Sequence, residues 1–196
     1  LINDPQVRRE LIMDVLNDDP KEYMDLLKQA RMNEDVEVVH YAITAMVEMS
    51  KEYDFQLQKL EVMYENSPDN PEILEKYCDF LEEYLNQGIL EAQMEKMQRE
   101  RYIWLLSQKM TVKPTLHTCV CLFQNLMQTG DYVEAKKVLD RMDQKWHRKE
   151  EFWLSKIQYL ADRKKGQELQ ECLRKMKEEH IYLSSKSKEA LAFWLD

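Results

Sequence analysis

Glycine is nearly missing from this chain: three in 196 residues, accompanied by five prolines. So few turn formers leave little material for hairpins or long loops, and an all-α chain is favoured. Sustained apolar/polar alternation is lacking too, which removes the main strand signal. No apolar run approaches the roughly 20 residues that cross a bilayer as a helix. Positive charge is in the minority, 28 Lys and Arg against 37 Asp and Glu, for a net charge of −9. That balance argues against nucleic acid as a partner, because phosphate neutralisation needs a basic surface. The basic clusters Lys136-Lys137 and Arg163-Lys164-Lys165 are short and read as solvated helix faces.

Catalytic vocabulary is equally sparse. There is no G-x-G-x-x-G, no P-loop and no H-E-x-x-H. His40, His117, His147 and His180 stand apart from one another, and acid pairs such as Glu82-Glu83 and Glu150-Glu151 alternate with Lys and Arg as solvated faces do. The four cysteines fall inside apolar stripes, where buried free thiols usually lie, which suggests a reducing, cytoplasmic compartment. Cys119-Val120-Cys121 beside His117 imitates a metal motif. On a helix, however, i and i+2 point to different faces, and no second ligand pair follows at a zinc-site spacing. No catalytic residue, cofactor or metal ligand is therefore assigned, and the chain is expected not to be an enzyme.

What is present is helical periodicity, clearest from Leu116 to Met142. Two helices are expected there around the turn Thr129-Gly130-Asp131, with Gly130 ending the first and Asp131 capping the second. Glu134 stands at capping-box spacing from Asp131. Cys119, Leu122, Phe123 and Leu126 share one face, as do Ala135, Val138, Leu139 and Met142. The run Gly130-Asp131-Tyr132-Val133-Glu134-Ala135 resembles the turn of a tetratricopeptide repeat. A second copy about 34 residues on would place Trp153, Leu160, Cys172, Leu173 and Met176 at equivalent packing positions. The second turn, Lys164-Lys165-Gly166, carries its glycine late, and Phe123 stands where that family prefers a small residue.

Upstream, Asp4-Pro5 and Asp19-Pro20 mark helix starts. Val7, Leu11, Ile12 and Val15 match Val38, Ala42, Ile43 and Met46, so the first stretch reads as HEAT-type pairs. Separate helices are expected over 35–51 and 53–65, then a hairpin of a helix from Asn70-Pro71 and an unusually long one over 89–110. Leu90, Met94, Met97, Arg101, Trp104 and Leu105 mark the long helix, which is expected to protrude or to brace a neighbouring pair. A last helix with Ala190, Leu191 and Trp194 would cap the array. The expected architecture is an α-solenoid of antiparallel helix pairs, about 10–11 helices in a right-handed superhelix. Its parts would be HEAT-like pairs over 1–66, a long hairpin over 67–113 and tetratricopeptide-like repeats over 114–196.

That order, with Glu37-Val38 through Ala42 to Leu60 and Tyr77-Cys78-Asp79-Phe80-Leu81 through Leu85-Asn86-Gln87-Gly88, resembles the cytoplasmic region of the PelE family of Pel exopolysaccharide export machinery. The chain opens at Leu1 without Met and is expected to be an excised region of a longer protein; the resemblance implies a cytoplasmic scaffold tethered to the membrane by segments before Leu1. It would dock the cyclic-di-GMP receptor, the glycosyltransferase and the membrane subunit; the receptor's own Arg-x-x-Asp pattern does not occur here. A generic tetratricopeptide adaptor and a pentatricopeptide-like RNA binder are the alternatives, the acidic balance opposing the second. Stacked pairs would present the first helix of each pair on a concave surface. Those positions are His117, Val120, Gln124, Met127 and Gln128, then Glu151, Leu154, Gln158 and Asp162, which equally read as plain exposed helix. The 12 methionines read as core filler, and Tyr77, Tyr84 and Tyr159 as half-buried with hydroxyls at the rim.

Overall fold

A computed structural model describes residues 20–195, and the expectations for Asp4-Pro5 and the Val7–Val15 stripe lie outside them. Among the described residues the chain is all-helical: α1 (Pro20–Ala30), α2 (Val36–Asn66), α3 (Pro71–Gln87), α4 (Ala92–Val112), α5 (Leu116–Thr129), α6 (Tyr132–Trp146), α7 (Glu150–Asp162), α8 (Gly166–Glu178) and α9 (Ser185–Leu195). None of these helices is long and apolar enough to cross a membrane. Two compact units divide between Gln98 and Arg99, inside α4.

In the first unit α2 packs on α3, and α1 packs on both. The expected break between residues 51 and 53 does not occur. No Gly or Pro interrupts the 31 residues of α2; Lys51 donates to Glu48 just before that point and Gln56 donates to Glu52 across it, each at 2.8 Å. Met49, Tyr53, Leu57 and Tyr64 then form one buried stripe, so a single rod of about 46 Å replaces the two helices expected over 35–51 and 53–65.

The interface of α2 and α3 is aromatic. Tyr53 stacks on Tyr84 with ring centroids 4.8 Å apart, and Phe80 tilts against both. Tyr77 and Tyr84 are fully buried, deeper than expected. Their hydroxyls still reach acids on the facing helix: Tyr84 donates to Asp54 at 2.9 Å and Tyr77 to Glu61 at 3.3 Å, while Tyr53 donates to Glu83 at 2.9 Å. Burial, and then the acid beside each, pushes the Tyr53 and Tyr84 phenols well above the ordinary tyrosine range. Asn70 caps α3 through its side chain, Pro71 opens it, and Gly88 ends it at φ 61. Lys28 of α1 donates to the Gln87 carbonyl at 2.6 Å, placing a cation at the C-terminus of α3.

α4 is shorter than α2, at 21 residues. Its buried face is Gln98, Tyr102, Leu105, Leu106 and Met110, whereas Met94, Met97 and Trp104 are exposed, so the packing stripe lies further round the helix than expected.

The second unit repeats itself. α5 begins at Leu116 and α7 at Glu150, α6 at Tyr132 and α8 at Gly166; both steps are 34 residues. The turn hydrogen bonds repeat with the same step: Asp131 to the Leu126 carbonyl and Lys165 to the Leu160 carbonyl, each 2.9 Å, then Ala135 to Asp131 at 3.0 Å and Leu169 to Lys165 at 2.9 Å. Every stripe residue expected in both copies is buried, with Cys119, Phe123, Ala135 and Met142 at 0% exposure. Asp131 caps α6 through the Glu134 amide as expected. The late glycine is explained by backbone geometry. Gly130 turns left-handed at φ 78, and its equivalent is Lys164 at φ 55, while Gly166 simply opens α8. At α9, Ser184 accepts from the Ser187 amide as Thr115 does from Thr118 at α5. Leu191 is buried and Ala190 exposed, and the Trp194 side chain is outside those described.

A lysine in the left-handed region is strained by about 1–2 kcal/mol, less the extra unfolded-state entropy a glycine would bring. Lys164→Gly is predicted to stabilise the chain by about 0.5–1 kcal/mol. Gly130→Ala, whose added Cβ meets nothing within 4 Å, is predicted to destabilise it by about 1 kcal/mol through backbone strain alone. Urea unfolding midpoints check both; equal and same-signed shifts would contradict the equivalence of the two turns.

Candidate functional site

Two surfaces of the second unit are candidates. The first is the face made by α5 and α7, which pack against each other. His117, Gln124 and Gln128 on α5 and Glu151, Gln158 and Asp162 on α7 are exposed there, with Val120 and Leu154 half-covered. Met127 is the exception. It is 6% exposed beside Leu126 and belongs to the core, as the general reading of methionine expects. Met24, Met49, Met110, Met142 and Met176 are buried likewise, whereas Met32, Met94 and Met97 are exposed.

The thiols near this face take separate partners. Cys121 Sγ lies 3.6 Å from His117 Nε2, one turn away, while Cys119 Sγ contacts Met110 Sδ at 3.5 Å. Their divergence follows from the i, i+2 spacing. Burial pushes the Cys119 thiol above its ordinary range, opposed by Arg141 and Lys145. Asn125, which the sequence pattern did not single out, is buried and accepts from Arg99 at 2.7 Å while donating to the Cys121 carbonyl at 2.8 Å.

The second surface is a groove of about 300 Å³ between α6 and α8, floored by α7. Leu139, Phe152, Leu160 and Cys172 supply its buried apolar base. Its edges carry ion pairs: Lys136 with Asp140 on α6, Lys165 with Glu168 at 2.8 Å, and Lys175 with Glu171 at 3.5 Å on α8. Lys156 rises from the floor, its Nζ 5.4 Å from the Phe152 ring centroid and 5.3 Å from that of Trp153. Burial raises the Cys172 thiol against the pull of Lys156 and Lys175. None of the nine expected partner-binding residues lines this groove.

At one end of α6 a charged clasp closes the pair of repeats. His147 Nδ1 meets Asp143 Oδ1 at 2.5 Å and His147 Nε2 meets Glu179 Oε2 at 2.6 Å, joining α6 to the end of α8. A neutral imidazole has one N–H, so bonding both carboxylates requires the imidazolium. The Asp143 hydrogen bond raises the His147 pKa above its ordinary 6.5, burial opposes the rise, and Glu179 adds to it. Trp153 Nε1 donates to the His147 carbonyl at 2.7 Å, and the His147 ring packs edge-on to Trp153. The clasp thereby borders the wall of the groove.

No family model, no curated protein and no solved structure matches this chain.

Because the folded pKa of His147 is raised, its contribution to stability is complete below 6.5 and is lost as pH rises through the folded value. The wild-type advantage over His147→Ala is predicted to be larger at pH 6 than at pH 9. The pH-dependent part is about 0.5–1 kcal/mol for so accessible a pair, over a constant part from lost packing on Phe152 and Trp153. Paired denaturation curves at the two pH values check this; a pH-independent difference would refute the clasp.

Proposed function

We propose that the chain is a non-catalytic protein–protein interaction scaffold, built as an α-solenoid whose second unit is two tetratricopeptide-type helix pairs. The observation that carries this reading is the 34-residue step shared by helix starts and turn hydrogen bonds. Such repetition sets equivalent side chains side by side on adjacent pairs, which is how a repeat protein makes an extended surface. On the α5/α7 face the equivalent pairs are His117 with Glu151, Val120 with Leu154, Gln124 with Gln158, and Gln128 with Asp162. Their mixture of amide, acid and half-covered apolar groups suits a partner helix or extended peptide.

The resemblance to the PelE family supplies a narrower version, in which a membrane-tethered cytoplasmic scaffold holds the cyclic-di-GMP receptor, the glycosyltransferase and the membrane subunit of a Pel-type export complex. The single rod of α2 differs from the two helices expected over 35–51 and 53–65, so the scaffold reading rests on the 34-residue step and the Pel setting on co-purification. The test is affinity capture of those subunits by the chain, with and without Gln124→Arg/Gln158→Arg. These exposed substitutions are expected to weaken capture at least about tenfold, roughly the loss from disrupting one central interface contact, with the thermal midpoint unchanged. Capture of none of the subunits would sink the Pel setting. Subunits held equally by the variant would overturn the assignment of the α5/α7 face.

A further inference from the structure

We propose that the groove between α6 and α8 is a second, separate docking site, for a short peptide segment in which an acidic side chain stands next to a leucine-sized apolar one. This goes beyond the scaffold reading, since it uses a different side of α7 from that of Gln158 and Asp162.

The charge arrangement carries the inference. The groove is lined by eight charged side chains. Seven are matched: Lys136 by Asp140, Lys165 by Glu168, Lys175 by Glu171, and Asp143 by His147. Lys156 alone has no carboxylate partner among the described residues. Its ammonium stands over two aromatic rings and faces the open volume, so an entering carboxylate meets an uncommitted cation in partly desolvated surroundings. Phe152 and Leu160, at 1% and 5% exposure, floor the same space and receive the apolar neighbour.

The size and rim select a peptide over an acyl chain. About 300 Å³ is the low end of ligand pockets and holds roughly two side chains. Both long edges are rows of ion-paired donors and acceptors that a peptide main chain can engage. A hydrocarbon tail would strip water from those groups and return no hydrogen bond.

The test is a ¹H–¹⁵N titration of the whole chain with acetyl-Leu-Glu-Leu-amide, acetyl-Leu-Gln-Leu-amide and decanoate. The glutamate peptide is expected to give saturable shifts at Lys156, Tyr159 and Cys172. It should bind about fivefold more tightly than the glutamine peptide, the value of one accessible charge pair. Lys156→Met should erase that preference, and Lys156→Glu should transfer it to acetyl-Leu-Lys-Leu-amide. The proposal is overturned by no saturable shift, by equal affinity for the glutamate and glutamine peptides, by tighter binding of decanoate, or by shifts confined to the α5/α7 face. The wild-type comparison alone decides the matter if either variant fails to fold.

Discussion

At Gly130 and again at Lys164 the backbone turns left-handed, and the second unit depends on those two turns. Each sends the following amide back to a carbonyl of the last helical turn and so closes the helix end. The next helix then folds antiparallel onto the apolar stripe of the one before. Ala135 and Leu169 take equivalent places just after the turns, and both are buried. The aromatic wedge differs between copies, Phe123 serving the first pair and Trp153 the second. Packing at fixed register absorbs that difference, because volume can be redistributed among neighbours while the turn geometry cannot.

The first unit follows another logic. Its central joint is a stacked tyrosine pair whose hydroxyls cross to acids on the opposite helix, Tyr53 to Glu83 and Tyr84 to Asp54. The two hydrogen bonds run in opposite directions across one interface, so a slip of either helix would break both. A buried phenol needs such a partner, since an unmet hydroxyl costs more than its bond contributes. The joint therefore fixes register where the turns of the second unit fix direction.

What could be read in the sequence follows this division. Leu116 to Met142 was legible because amphipathic period, glycine and capping aspartate agreed there. Both stripes and the Asp131 cap lie where the pattern put them. The second turn was obscured by composition, since lysine holds the left-handed position and glycine stands two residues later. The fusion of 35–51 with 53–65 was missed because aligning Val7 with Val38 suggested a repeat boundary, while the continuous Met49-Tyr53-Leu57 stripe pointed the other way. Met127 looked available because its spacing from Gln124 fits the exposed face, yet packing near Leu126 covers it. The groove left one trace in the sequence: Lys156 stands one turn after Phe152 and one turn before Leu160, a charge on an otherwise apolar line.

That misplaced charge explains how one helix can serve two surfaces. Successive residues turn by about 100° around a helix axis, so the outer series Glu151, Leu154, Gln158 and Asp162 and the groove series Phe152, Lys156 and Leu160 lie on separate sides of α7. Between them Trp153 and Ile157 turn inward at no more than 5% exposure. Occupants of the two surfaces share no side chain and meet only through that packed edge. Any coupling between them runs through the packing of α7 with its neighbours, across which the His147 clasp ties the end of α6 to the end of α8. An occupant on either side that binds only the closed pair would favour the other, and protonation of His147 would act with the same sign as both.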